Sequence, residues 1–123
     1  ICLGQAIDKA LAGKESIKRY GHSYVPMDEA LARSVIDLSG RAYFVLAASF
    51  MDQRIGEFPT ALVREFFQAV AGHARLNLHI DLLRCVNDHH GVEAIFKSFG
   101  RALDAASWRS ERIRGVPSTK GAL

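Results

Sequence analysis

The run Arg75-Leu76-Asn77-Leu78-His79-Ile80-Asp81-Leu82-Leu83-Arg84-Cys85 decides the fold. Leu76, Leu78, Ile80 and Leu82 alternate with Arg75, Asn77, His79 and Asp81. Successive side chains of an extended backbone point to opposite faces, so this is a half-buried strand with a polar side. Just beyond it the period changes. Val92, Ile95, Phe96, Phe99, Ala102 and Leu103 recur at helical spacing after Asn87-Asp88, either of which caps a helix running to about Ala106. Upstream, Pro59-Thr60 opens a helix through about Ala71 with the stripe Leu62, Val63, Phe66, Phe67 and Val70, and Gly72 is placed to end it.

Further out, Ala30–Leu38 alternates roughly and Ala42–Phe50 is β-branched and aromatic. With Ser39-Gly40 as the turn they read as an antiparallel hairpin. His22–Met27 is a short extended segment, with Pro26 keeping its neighbours non-helical. Met51–Phe58 is a connection. Leu3, Ala6, Ile7, Ala10 and Leu11 mark a first helix, which Gly13 stops. The order helix, hairpin, helix, strand, helix predicts an α+β domain: an antiparallel or mixed sheet with helices packed on one face. The chain starts at Ile1 inside a helical pattern with no cap before it, as if the beginning of the natural protein were missing; a processed or designed chain is the alternative. The tail from Ser107 to Leu123 is either a docked functional loop or a frayed end.

With 123 residues, 49% apolar and 24% charged, this is one ordinary globular domain, not a disordered tail, a collagen-like repeat or a disulfide scaffold. The longest apolar stretch, Ala42–Phe50, is about nine residues against the roughly 20 of a membrane helix, and no signal peptide is visible. Sixteen Lys and Arg minus thirteen Asp and Glu leave +3, which suits small anions better than nucleic acid. Cys2 and Cys85 have no metal-ligand spacing and read as reduced thiols of a cytosolic protein.

Four of the five histidines lie between His73 and His90. The sharpest group is Asn87-Asp88-His89-His90-Gly91-Val92-Glu93, with Lys97 one turn on. His89 with Glu93, and His90 with Glu93, share a helix face. Imidazole nitrogen plus carboxylate oxygen suits a divalent transition ion such as manganese, iron or zinc. Neighbouring helix positions diverge by about 100°, so the two imidazoles would serve two ions rather than one. The plainer reading is a pair of solvated histidines at a helix start. His79 is a ligand, an orienting group or a hydrogen-bonded sheet residue; Glu65 alone is an ordinary helix carboxylate. Arg19, Arg41 and Lys120 each sit beside Gly or Ser at an element end, where backbone amides and a cation can cradle phosphate. Exposed loop cations are the alternative.

Taken together, Arg19-Tyr20-Gly21-His22, Pro26-Met27-Asp28-Glu29-Ala30-Leu31, Asp37-Leu38-Ser39-Gly40-Arg41, Leu78-His79, Asn87-Asp88-His89-His90, Glu93-Ala94-Ile95-Phe96-Lys97 and Pro117-Ser118-Thr119-Lys120-Gly121 resemble the imidazoleglycerol-phosphate dehydratase family, in order and spacing, over essentially the whole chain. The resemblance implies a cytoplasmic lyase of histidine biosynthesis that dehydrates imidazole glycerol phosphate to imidazole acetol phosphate. It implies two similar halves, each a sheet with helices on one face as also found in ribosomal proteins. Residues 1–13 would be the last helix of an absent first half, 14–106 the second half and 107–123 a substrate-loop tail. It implies a homo-oligomer, a 24-mer, with two manganese ions where subunits meet, and neither nucleic acid nor membrane as partner.

Residue by residue, His89, His90 and Glu93 match catalytic metal ligands. Glu65 falls where some members place a ligand histidine and others a glutamate. Arg19, Arg41, Lys97, Ser118, Thr119 and Lys120 match substrate- and phosphate-contacting positions. The proton lost with water sits on a carbon with no carbonyl beside it, so two cations on the ring nitrogens would be needed to stabilise an imidazolate that expels the hydroxyl. The chain begins just after the family's first histidine-rich motif, so by itself it is expected to be an incomplete, inactive enzyme. The first-helix face Leu3, Ile7 and Leu11 is expected to lack cover. The competing class is a non-catalytic basic α+β module binding RNA or a protein, although the basic tail has only Trp108 to stack on a base.

Overall fold

The computed structural model describes residues 1–119. Its elements are α1 (Cys2–Ala10), β1 (Tyr20–Met27), β2 (Ala30–Asp37), β3 (Tyr43–Ala47), β4 (Arg54–Ile55), β5 (Phe58–Pro59), α2 (Ala61–Ala74), β6 (Asn77–Arg84) and α3 (Asp88–Ser107). The alternating run is β6, and it lies inside a four-stranded sheet of order β1-β2-β6-β3. Leu76, Leu78 and Ile80 are fully buried beneath the helices. His79 lies on the outer face, level with Val35 of β2 and Val45 of β3. Helices α2 and α3 cover the inner face through Phe67, Phe96 and Phe99, whose rings meet at 4.8–5.1 Å. The sheet is mixed, as expected, with its helices on one side.

The expected hairpin between Ala30–Leu38 and Ala42–Phe50 does not form. Instead β1 and β2 make the hairpin, closing at Asp28-Glu29 with Met27 opposite Ala30. β3 pairs in parallel with β6, which has inserted between β2 and β3. The reason is burial. From its interior position β6 sends Leu78 and Ile80 fully into the core, whereas β3 is only partly buried at the edge. A parallel pair needs a long crossover, and α2 provides it. Gly72 likewise does not end α2. The helix continues to Ala74, and Arg75 takes the left-handed cap at φ 51°.

Helix α1 lies on α2. Gly4 is buried at the crossing, where an added Cβ would stand 2.8 Å from the His73 Cβ and 2.9 Å from the Val70 carbonyl oxygen. Ile7 and Leu11 pack against the edge of the core, so only part of the face expected to lie bare does so; Leu3 stays 47% exposed. The tail docks. Ile17 forms a bridge with Arg109, Ser110 N donates to the Ser16 carbonyl, and Lys18 N donates to that of Trp108. Among the described residues no helix is long and apolar enough to cross a membrane.

Gly21 is a point of very close approach. A Cβ there would lie 2.1 Å from the Ala102 carbonyl oxygen and 2.6 Å from Ala106 N, both backbone atoms of α3. Gly21→Ala is therefore expected to push α3 off β1 and destabilise the domain by about 2–3 kcal/mol, the upper end for overpacking. Urea unfolding should show a lower midpoint with an unchanged slope.

Candidate functional site

Helix α3 starts on a well-made cap. The Asn87 side chain accepts from His89 N at 2.9 Å and His90 N at 3.4 Å. This fixes the two histidines in the first turn, where their rings stand 6.1 Å apart at 72° to one another. His89 is exposed, and its Nε2 lies 3.3 Å from a Glu93 oxygen. The other Glu93 oxygen accepts from Lys97 Nζ at 2.6 Å. That hydrogen bond, with the nearby Lys97 and His89 charges, holds the Glu93 carboxyl below its ordinary pKa.

His90 turns away, toward the β1–β2 turn. Its Nδ1 lies 2.9 Å from Glu29 Oε2, and its Nε2 lies 3.9 Å from Asp28 Oδ2. The bond to Glu29 raises the His90 pKa above the ordinary value. The reciprocal bond, with backbone donors from Asn87 and Val86, pulls Glu29 down to about 2. In the sequence Glu29 stood out only as part of the string Pro26–Leu31, with no role of its own.

The four candidate ligands are thus only partly brought together. His89 and Glu93 converge, and His90 diverges from them. Glu65, exposed on α2, lines a separate depression with Leu46, Ala48, Phe50 and Thr60. Among the described residues no three His, Cys, Asp or Glu side chains form a group able to hold an ion. An imidazole with a carboxylate, and a second imidazole aimed elsewhere, still fit two divalent ions as partial shells. Such donors match a transition metal, and an octahedral shell would need others. His79 takes no part; it lies on the outer face with its ring 6.1 Å from that of Tyr43.

The cationic residues lie elsewhere. Arg19 Nε donates to Asp37 at 2.7 Å and its Nη1 to the Pro117 carbonyl at 2.9 Å, so it ties the tail to the sheet. Arg41 is near, at the same sheet end. Its carbonyl accepts from Asn77 Nδ2 at 3.1 Å, and its backbone N donates to Ser39 Oγ at 3.3 Å. Ser118 and Thr119 follow the tethered Pro117; Lys120 lies outside the described residues. Lys97 does not join this group. It lines a groove with Ser23, Tyr24, Pro26 and Arg101. The histidines begin α3, and Arg19 N bonds the Ala106 carbonyl at its far end. α3 has 20 residues, about 30 Å.

This arrangement defines a two-layer α+β unit with an imidazole–carboxylate group at one end of a helix and a cationic loop cluster at the other. The chain belongs to the imidazoleglycerol-phosphate dehydratase family, whose family model matches residues 1–103. It is 53% identical over its whole length to imidazoleglycerol-phosphate dehydratase of Cellvibrio japonicus, covering 63% of that protein. The same enzyme of Hydrogenovibrio crunogenus is 57% identical, with 64% covered. The crystal structure of imidazoleglycerol-phosphate dehydratase from Staphylococcus aureus superposes with a TM-score of 0.87 at 49% identity, over 89% of this chain and 64% of that one. The Pyrococcus furiosus structure gives 0.82 at 37% identity, covering 98% and 68%. The chain thus spans a little under two thirds of the length of these curated relatives.

One cation at the Arg19 end is misplaced energetically. Lys14 is buried, and its Nζ has no hydrogen-bond partner. Burial, then Arg75, lowers its pKa from 10.5, while Asp8 and Asp37 oppose the shift. A lysine depressed in the folded state costs stability below its folded pKa. The cost is relieved as pH rises toward the unfolded value. Lys14→Met should therefore stabilise the domain at neutral pH by about 1 kcal/mol. The gain over the parent should shrink in thermal unfolding as pH approaches 10.5.

Proposed function

We propose that this chain carries part of the active site of an imidazoleglycerol-phosphate dehydratase. The reaction is the loss of water from imidazole glycerol phosphate to give imidazole acetol phosphate, a step of histidine biosynthesis in the cytoplasm. The observation that carries this reading is the separation of two chemistries along α3: imidazole and carboxylate donors at one end, Arg19, Arg41 and the tail at the other. A small phosphorylated imidazole cannot span the helix, so both ends serve one substrate only if neighbouring chains meet. That supports a symmetric homo-oligomer, the family's 24-mer, with α1 as the last helix of a preceding half.

His89, His90, Glu93 and, from α2, Glu65 would hold two manganese ions together with donors from elsewhere. Those ions would supply Lewis acidity to the ring nitrogens and orient the ring. Glu93, held anionic by Lys97, would bring the negative charge to their shell. Arg19, Arg41, Lys97 and the segment Ser118, Thr119 and Lys120 would bind the phosphate, whose remote binding energy orients the reacting carbons.

Two experiments test this reading. Glu93→Gln keeps size and removes the charge, so manganese affinity should fall by at least tenfold in chelator competition; unchanged affinity removes Glu93 from the ligand set. In a complementation assay, Arg19→Ala and Glu93→Gln variants of the complete protein, each inactive alone, are assembled together at equal amounts. A site shared between copies regains about a quarter of parental turnover, whereas a site within one chain regains none.

A further inference from the structure

The two adjacent histidines are held in different ways. His89 is 63% exposed, and its carboxylate partner, Glu93, lies on the same helix. His90 is 25% exposed and is gripped by a residue from another part of the chain. Glu29 sits in the two-residue β1–β2 turn, where Asp28 adopts a left-handed φ of 48° and Met27 and Ala30 close the ladder. Its Oε1 accepts from Asn87 N at 2.8 Å and from Val86 N at 3.3 Å. Its Oε2 faces His90 Nδ1 at 2.9 Å. One carboxylate thus reads both the backbone leading into α3 and the ring of its third residue.

We propose that Glu29 is a positioning residue that fixes His90 as the Nδ1–H tautomer and presents Nε2 outward as its ligand atom. This rests on the reading of His90 as a metal ligand. A carboxylate is acceptor-only, so the proton of a neutral ring must sit on Nδ1. The lone pair is left on Nε2, whose nearest acidic oxygen, on Asp28, is 3.9 Å away and too far for a hydrogen bond. A carboxylate behind an imidazole orients the ring and makes the outward nitrogen more basic. The turn that carries Glu29 is paired on both sides and the carboxylate is anchored on two backbone N–H groups, so the ring meets a fixed partner. His89 has no such partner, and the two donors therefore differ in basicity and freedom.

The test uses Glu29→Gln and Glu29→Ala in the whole protein, in the assembly in which it purifies. In Glu29→Gln the two backbone donors claim the amide oxygen. The NH2 group then faces His90 and favours a bare Nδ1, reversing the tautomer, while the helix entry stays anchored. Magic-angle-spinning NMR of metal-stripped, 15N-histidine-labelled protein at alkaline pH, with His90→Gln assigning the signal, reads which nitrogen carries the proton. The parent should show Nδ1–H and Glu29→Gln a shift toward Nε2–H. Manganese affinity by chelator competition should fall about 10–100-fold in Glu29→Gln with little change in Tm, whereas Glu29→Ala should lose both.

An Nε2–H ring in the parent overturns the proposal whatever the metal does. Retained manganese affinity in Glu29→Gln overturns the ligand consequence. A parent with the Nδ1–H ring that binds no manganese overturns the metal reading and leaves the orientation standing.

Discussion

The contact of Gly21 with the backbone of α3 governs the rest of the structure. Any side chain at that position would collide with Ala102 and Ala106, so α3 can lie flat along the β1–β2 hairpin only because β1 has no Cβ there. Once it does, the hairpin pins both of its ends. Arg19 N and Lys18 N bond the Ala106 and Trp108 carbonyls at the C-terminus. Glu29, at the other end of β1, bonds the backbone just before the N-terminus. A single tight approach thus turns α3 into a strut and sets the distance between the histidines and the Arg19 cluster.

Strand β6, α2, α3 and the one-sided packing were legible because burial at period two or 3.6 is a local property of the sequence. Pairing is not local. Ala30–Leu38 and Ala42–Phe50 are neighbours in sequence with turn residues between them, yet the free edge of β2 goes to β6, some forty residues on. Nothing between Ser39 and Ala42 forbids a hairpin; the interior place goes to β6, whose Leu78 and Ile80 are fully buried, while β3 stays at the edge. Gly72 misled for a related reason. A glycine near a helix end reads as a stop, but here the αL position falls on Arg75, whose guanidinium is anchored by Asp8 of α1 at 2.9 Å. Burial of Ala71 and Ala74 on either side of Gly72 outweighs a propensity of about 1 kcal/mol.

The site divides in the same way. His89, Glu93 and Lys97 lie at helical spacing and form one chain of contacts, as spacing alone requires. Glu29 lies 61 residues from His90, and Pro117 lies 98 residues from Arg19. No periodicity reports such partners. Arg19 was legible as a cation next to a glycine, but its commitment to Asp37 and the tail was not. Within one chain Arg19 and Arg41 stand at the C-terminal end of the strut, while Lys97 is carried on its middle.

Electrostatics explains why the two chemistries occupy these ends and not the reverse. A helix N-terminus ordinarily attracts anions, through its dipole and its unpaired N–H groups. At α3 two of those groups, His89 N and His90 N, are taken by the Asn87 side chain, and Glu29 takes Val86 N and Asn87 N just ahead of the helix. Asp28, Glu29, Asp88 and Glu93 then surround the same turn, with Asp88 also holding Asp52 N at 2.7 Å. Four carboxylates and two imidazoles make this end attractive to cations. The opposite end has Lys14, Arg19, Arg41 and Arg75 against Asp8 and Asp37. A metal at the first and a phosphate at the second each meet the charge they need, and exchanging them would place like charges together at both ends.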